Sequence, residues 1–72
     1  MSIMIKRDEL IASRLKKGYS QRKLAKITGL SSSLISQIEN CTRNPSPYSA
    51  KKICEALNVE FKEIFLFKNV TP

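Results

Sequence analysis

The sequence contains no histidine and no tryptophan, two cysteines, two glycines and only six acidic residues among 72. Each scarcity removes a class of function. Without histidine the commonest acid–base group and metal ligand is missing, and so short a chain has few other ways to assemble a catalytic centre. No enzyme is expected, and no cofactor, metal or small-molecule ligand. Cys41 and Cys54 are too few for a disulfide framework and have no ligand cluster beside them, which fits a reducing cytoplasm. No apolar run approaches the roughly 20 residues that span a bilayer. The opening MSIMIKRDEL also lacks the apolar stretch of about 7–15 residues of an export signal. The expectation is a cytoplasmic protein with no membrane partner. The length allows one small domain over residues 1–72, with no room in it for a separate effector domain.

What is abundant is positive charge. Thirteen Lys+Arg against six Asp+Glu leave +7, and 42% apolar content is enough for a core. The charge is uneven. Residues 1–43 hold nine cations (Lys6, Arg7, Arg14, Lys16, Lys17, Arg22, Lys23, Lys26, Arg43) and three acids (Asp8, Glu9, Glu39), a balance of +6, whereas residues 44–72 contribute +1. The first part of the chain therefore carries the electrostatic footprint of a polyanion partner, against the alternative of a merely solvated basic surface.

Three punctuation points divide the chain: Gly18-Tyr19, Gly29-Leu30, and the run from Asn40 to Pro47. Between them the apolar spacing is helical. A first helix is expected from about Lys6 to Lys17, with Leu10, Ile11, Arg14 and Leu15 on one stripe. A second follows Ser20 as N-cap and buries Leu24, Ala25 and Ile27; Tyr19 and Leu24 stand in the hydrophobic-staple relation. A third starts near Ser31, with Leu30 and Ile35 as its staple, and buries Ile35 and Ile38. Ser46 caps a fourth, with Pro47 at the first helical position, where a missing N–H costs nothing. Its inner face is Ala50, Ile53, Ala56 and Leu57. Cys54 is a small core side chain there. A last helical turn near Phe61 to Leu66 closes the core with Phe61, Ile64 and Phe65. No segment alternates convincingly as a strand, and the expected fold class is all-α, about five short helices.

The informative stretch is SQRKLAKITGLSSSLISQIEN, residues 20–40. Two short helices are joined by a turn at Thr28-Gly29-Leu30, where Gly29 supplies a left-handed backbone. Ala25, four residues earlier, lets the second helix cross closely. That is the specification of a helix-turn-helix, whose second helix projects toward a major groove.

The chain resembles the DNA-binding domains of the lambda-type repressor and Cro (Xre) family over roughly residues 5–66. The resemblance rests on Arg14, Gly18-Tyr19-Ser20-Gln21, Leu24-Ala25, Gly29, Ser31, Ile35-Ser36, Ile38-Glu39-Asn40 and Arg43-Asn44-Pro45-Ser46, and further on Ile53, Ala56-Leu57, Val59 and Ile64-Phe65. One departure is Cys41, where the family commonly has glycine. Cysteine there either carries a backbone penalty or shifts the cap onto Asn40.

The resemblance implies a sequence-specific, double-stranded DNA-binding regulator of transcription of phage, mobile-element or bacterial type, a repressor where its operator overlaps a promoter and an activator where the same contacts lie beside one. Ser32, Ser33, Ser36 and Gln37 match the positions that face base edges, and glutamine can pair bidentately with adenine. Gln21 matches a phosphate-gripping glutamine, Arg43 and Asn44 match loop positions on the phosphate backbone, and Lys23 and Lys26 point outward on the second helix for the same use. Leu34 either touches a thymine methyl or packs against the body. Arg14 and Glu39 match a structural ion pair that holds the recognition helix at its angle.

A lone helix-turn-helix covers one half-site, so the expected partners are an operator with two-fold symmetry and a second copy of the chain. Phe65, Leu66 and Phe67 are the candidate dimer contacts, within the range 61–70 that includes Val70. Met1, Ile3, Met4 and Ile5 raise the same question at the other end. Two other readings compete: an antitoxin or adaptor acting through protein contacts, and a general nucleic-acid binder working by charge. The second lacks a stacking platform, since Tyr19, Phe61 and Phe65 go to the core.

Overall fold

The computed structural model describes residues 2–68. Its elements run β1 (Ser2–Ile5), α1 (Arg7–Lys16), α2 (Gln21–Thr28), α3 (Ser32–Glu39), α4 (Pro47–Leu57), α5 (Phe61–Ile64) and β2 (Phe65–Lys68). The five helices of the all-α reading are present. Their starts follow local chemistry. The hydroxyls of Ser20, Ser31 and Ser46 accept hydrogen bonds from the amides of Lys23, Leu34 and Ser49, each three residues on, satisfying donors that a helix cannot satisfy itself. Pro47 opens α4, and Asn58 ends it in the left-handed conformation.

The core is built from one apolar stripe of each helix: Leu10, Leu24 with Ala25, Ile35 with Ile38, Ala50 with Ile53 and Leu57, and Ile64. Burying a Leu or Ile side chain contributes about 1.5–3 kcal/mol, so these few residues carry much of the driving force in so small a domain. Tyr19 and Leu30 pack against this core as the two staples require, and Cys54 is buried in it.

The strands are a departure from the expected fold. Ser2–Ile5 pairs antiparallel with Phe65–Lys68, Ile3 opposite Phe67 and Ile5 opposite Phe65, and the ladder continues through the Lys6 amide to the Ile64 carbonyl at 2.9 Å. The last helical turn therefore stops at Ile64, and residues 65 and 66 are extended instead. Each strand is four residues long, too short to display a period of two, and its partner lies at the other end of the chain. What the pairing achieves is packing: Ile3 and Phe65 enter the core from one face of the ribbon.

Two core assignments are corrected. Leu15 is 61% exposed and Ile27 42% exposed. On α1 the inward line runs through Leu10 and Arg14, and Leu15 is a further 100° round the helix. On α2 Thr28, not Ile27, completes the inner arc with Leu24 and Ala25.

Candidate nucleic-acid interface

The turn between α2 and α3 is held from inside. Gly29 has φ +76°, which a side chain would strain. The buried Thr28 hydroxyl donates to the Leu24 carbonyl at 2.8 Å, lies 3.1 Å from the Ala25 carbonyl, and accepts from the Leu30 amide at 3.3 Å. This use of Thr28 was not anticipated; its signal is a hydroxyl one residue before the turn glycine, able to satisfy both sides of the bend.

The far end of α3 is fixed by charge. Arg14 Nε donates to Glu39 Oε2 at 2.6 Å and Nη2 donates to Oε1 at 3.0 Å, while Nη1 donates to the Tyr19 carbonyl at 2.8 Å. Both side chains are almost wholly removed from solvent. The paired geometry foreseen for Arg14 and Glu39 is present, with a third member: Gln21 Nε2 donates to Glu39 Oε1 at 3.1 Å. Gln21, expected at a phosphate, thus has an internal partner and one amide hydrogen left over. The three residues tie α1, the start of α2 and the end of α3 into one unit.

On that unit the outward face of α3 presents Ser32, Ser33 and Gln37, all exposed. Ser36 is half-buried, its hydroxyl 3.5 Å from the Asn40 amide nitrogen. Leu34 is half-buried and packs against the core, as the packing reading expects. Lys23 and Lys26 are exposed on α2, and Arg43 and Asn44 are exposed in the loop after α3. That loop begins at Cys41 with φ +59°, so the cysteine itself takes the left-handed conformation, and Asn40 keeps φ −84°. Thr42 steadies the loop by donating from its hydroxyl to the Gln37 carbonyl at 3.1 Å.

The electrostatics of this face follow from one count. Between residues 10 and 54 the chain has nine cations and a single acid, Glu39. That acid is buried against Arg14. The surface made by α2, α3 and the following loop therefore carries no exposed carboxylate to oppose Arg22, Lys23, Lys26 and Arg43.

Of the dimer candidates, Phe65 is fully buried in the protomer's own core and is withdrawn. Leu66 is exposed opposite Met4. Phe67 is 53% exposed, with its ring stacked on Phe61 at 4.5 Å between centroids. Met1 and Val70 lie outside the described residues. No helix among the described residues is long and apolar enough to cross a membrane.

Two short helices locked at a glycine turn, the second with a polar outer face, define a helix-turn-helix domain. Residues 10–64 match the family model described as Helix-turn-helix, and the chain belongs to that family, of the Xre and lambda-repressor-like type. It is 38% identical over 53 residues to a Bacillus subtilis (strain 168) protein described as uncharacterized HTH-type transcriptional regulator YqaF, covering 74% of this chain and 70% of the relative. Its fold is similar to that of the restriction-modification controller protein C.AhdI from Aeromonas hydrophila, with TM-score 0.74 and 35% identity over 79% of this chain and 86% of the other. The N-terminal DNA binding domain of SinR from Bacillus subtilis is similar at TM-score 0.72 and 32% identity, over 78% and 83% of the two chains.

Proposed function

We propose that this chain, a DNA-binding transcriptional regulator by family and fold, is a sequence-specific repressor that reads a two-fold symmetric operator as a homodimer in the cytoplasm. One observation carries the reading: the exposed Ser32, Ser33 and Gln37 stand on a helix whose both ends are fixed, the first at the Thr28–Gly29 turn and the last at Glu39. A rigid polar helix face is what direct readout needs, because base edges are discriminated by hydrogen-bond geometry. Gln37 is the long reader, suited to adenine. Ser32, Ser33 and Ser36 are short and work at close range or through water.

Arg43 and Asn44 hold phosphates on one side of the reading helix, and Lys23 and Lys26 on the other. Gln21 uses its remaining amide hydrogen toward a phosphate while Glu39 holds the other. Occupying an operator that overlaps a promoter excludes polymerase. Leu66, Phe67 and Met4, apolar side chains left exposed on the small sheet, serve the second copy.

Selection of binding sites from random duplex DNA at about 150 mM salt, where non-specific phosphate binding is weakened, tests this reading. The expected result is an enriched palindrome whose half-sites are centred about 34 Å apart. If no sequence is enriched and the purified chain instead binds a protein partner, the adaptor or antitoxin reading replaces it.

A further inference from the structure

The helix α3 presents no charge to a base pair. Within its sequence SSLISQIE the sole ionisable group is Glu39, and that carboxylate is buried against Arg14. The helix therefore brings neither the cation that most often grips guanine O6 and N7 nor an exposed carboxylate for the amino group of cytosine. Its three serines reach only a short way. Gln37 is the one long side chain on the outer face that holds both a donor and an acceptor. It is also uncommitted. The side-chain amide of Gln21 is turned onto Glu39, whereas that of Gln37 has no hydrogen-bond partner among the described residues. The Gln37 backbone, by contrast, is held twice, its carbonyl accepting from the Thr42 amide at 3.0 Å and from the Thr42 hydroxyl at 3.1 Å. A fixed main chain beneath a free amide suits one well-aimed contact.

We infer that Gln37 discriminates adenine from N6-methyladenine, so that a methyl group on the adenine it reads excludes this protein from its operator. The inference rests on the DNA-binding reading above and deepens it by naming a state of the DNA to which the site responds. The chemistry is that of the paired base. Adenine N6 carries two hydrogens. One is spent on thymine O4 inside the base pair. The other projects into the major groove beside N7, where Gln37 Oε1 accepts it while Nε2 donates to N7. An N6-methylated adenine that stays paired keeps its single hydrogen for thymine, so the methyl takes the groove-side position. It removes the donor that Oε1 needs, and its bulk covers N7. Both bonds are then lost together, and the amide is left unsatisfied against a methyl group. No neighbour on α3 replaces them: the Ser36 hydroxyl lies toward Asn40, and Ser33, one turn back on the same stripe, offers a single polar atom.

The test uses the full chain and the palindrome enriched by site selection, resynthesised with N6-methyladenine in place of adenine at one position of each half-site at a time. At fixed salt, methylation at one of these positions should lower affinity about tenfold per half-site, the scale of discrimination that a bidentate pair supplies. Gln37→Ala changes an exposed side chain and leaves the fold intact. It should bind the unmodified palindrome more weakly, and should bind the adenine and N6-methyladenine forms of the sensitive position equally. If no adenine position is sensitive to methylation, the inference falls, while the DNA reading still stands on the enriched palindrome. Sensitivity that persists undiminished in Gln37→Ala would place the effect in DNA shape or in another residue, and would also overturn it. Failure to enrich any sequence would instead remove the base-reading role of α3 itself, and the discrimination with it.

Discussion

Arg14 on α1 and Glu39 at the end of α3 meet at two points, Nε to Oε2 at 2.6 Å and Nη2 to Oε1 at 3.0 Å. The pair is asymmetric. Arg14 keeps a second acceptor, the Tyr19 carbonyl, whereas Glu39 without Arg14 would retain only Gln21. Removing the arginine thus strands a buried carboxylate, while removing the acid leaves a guanidinium that is still hydrogen-bonded and closer to solvent.

Arg14→Met should therefore cost about 3–5 kcal/mol, the range for an uncompensated buried charge. Glu39→Gln should cost about 1–2 kcal/mol, since a neutral amide keeps the shape and loses charge assistance. In a domain whose total stability is about 4–11 kcal/mol at ordinary values per residue, the first change is severe. Urea unfolding of both variants measures the difference, and the reverse order would contradict the asymmetry. DNA affinity of Glu39→Gln should fall only as its folded fraction falls.

Features set by near neighbours were legible in the sequence. Ser20, Ser31 and Ser46 cap their helices because a cap needs only an amide three residues on, and Gly29 turns because its own backbone requires it. The Arg14–Glu39 pair was reached only through family resemblance, since no local rule joins residues 25 apart. The sheet was missed because Ser2 pairs with Lys68, and neither four-residue strand has a signal without the other. Leu15 and Ile27 were misplaced because hydrophobicity was read where geometry decides: Arg14 and Thr28 take the inward positions, each repaid by hydrogen bonds. At the site, residue types and exposure came through, but not that Gln21 turns inward to Glu39.

Gln37 tests base reading. Its side chain is exposed, and the hydrogen bond at this residue is made by its backbone carbonyl, to Thr42. Gln37→Ala should leave the melting temperature nearly unchanged while lowering the preference for the selected operator over random duplex by about 1–3 kcal/mol. Competition binding at fixed salt reads this ratio. An unchanged ratio would remove Gln37 from the readers.

Two residues with positive φ should respond in opposite directions. A Cβ at Gly29 would meet nothing within 4 Å, so Gly29→Ala is opposed by backbone strain alone, about 1–2 kcal/mol. Cys41 already bears such strain at φ +59°, and Cys41→Gly should relieve it. The gain is limited to about 1 kcal/mol or less because glycine loses more entropy on folding. Thermal melts of both proteins decide the signs, and stabilisation by Gly29→Ala would show that the turn is not held left-handed.

The two thiols should separate cleanly. Cys41 is exposed, whereas Cys54 is buried and its thiol is pushed up from the ordinary value, first by burial and then by the charges of Glu63 and Glu55. A thiolate is the reactive form, so a thiol reagent at neutral pH should modify one site per native chain, and the second only on unfolding. Peptide mapping identifies the site, and rapid native labelling of Cys54 would mean that α4 opens readily.

The dimer proposal makes a prediction that distinguishes two neighbouring residues. Leu66 lies opposite Met4 on the sheet's outer face and is exposed, whereas Phe67 stacks on Phe61 within its own protomer. Leu66→Lys should therefore weaken self-association while leaving the monomer's stability within about 0.5 kcal/mol, as at an ordinary surface position. Phe67→Lys should weaken association and also lower monomer stability, because it breaks an aromatic pair worth about 0.5–1.5 kcal/mol beyond its buried area. Sedimentation at several concentrations, with chemical unfolding in parallel, separates the two effects. If the dimer forms equally well in both variants, the small sheet is not its interface, and the second copy must dock on another face. Operator binding then has its own signature: a variant impaired only in association should need a higher concentration to occupy a full palindrome, while its binding to an isolated half-site is unaltered.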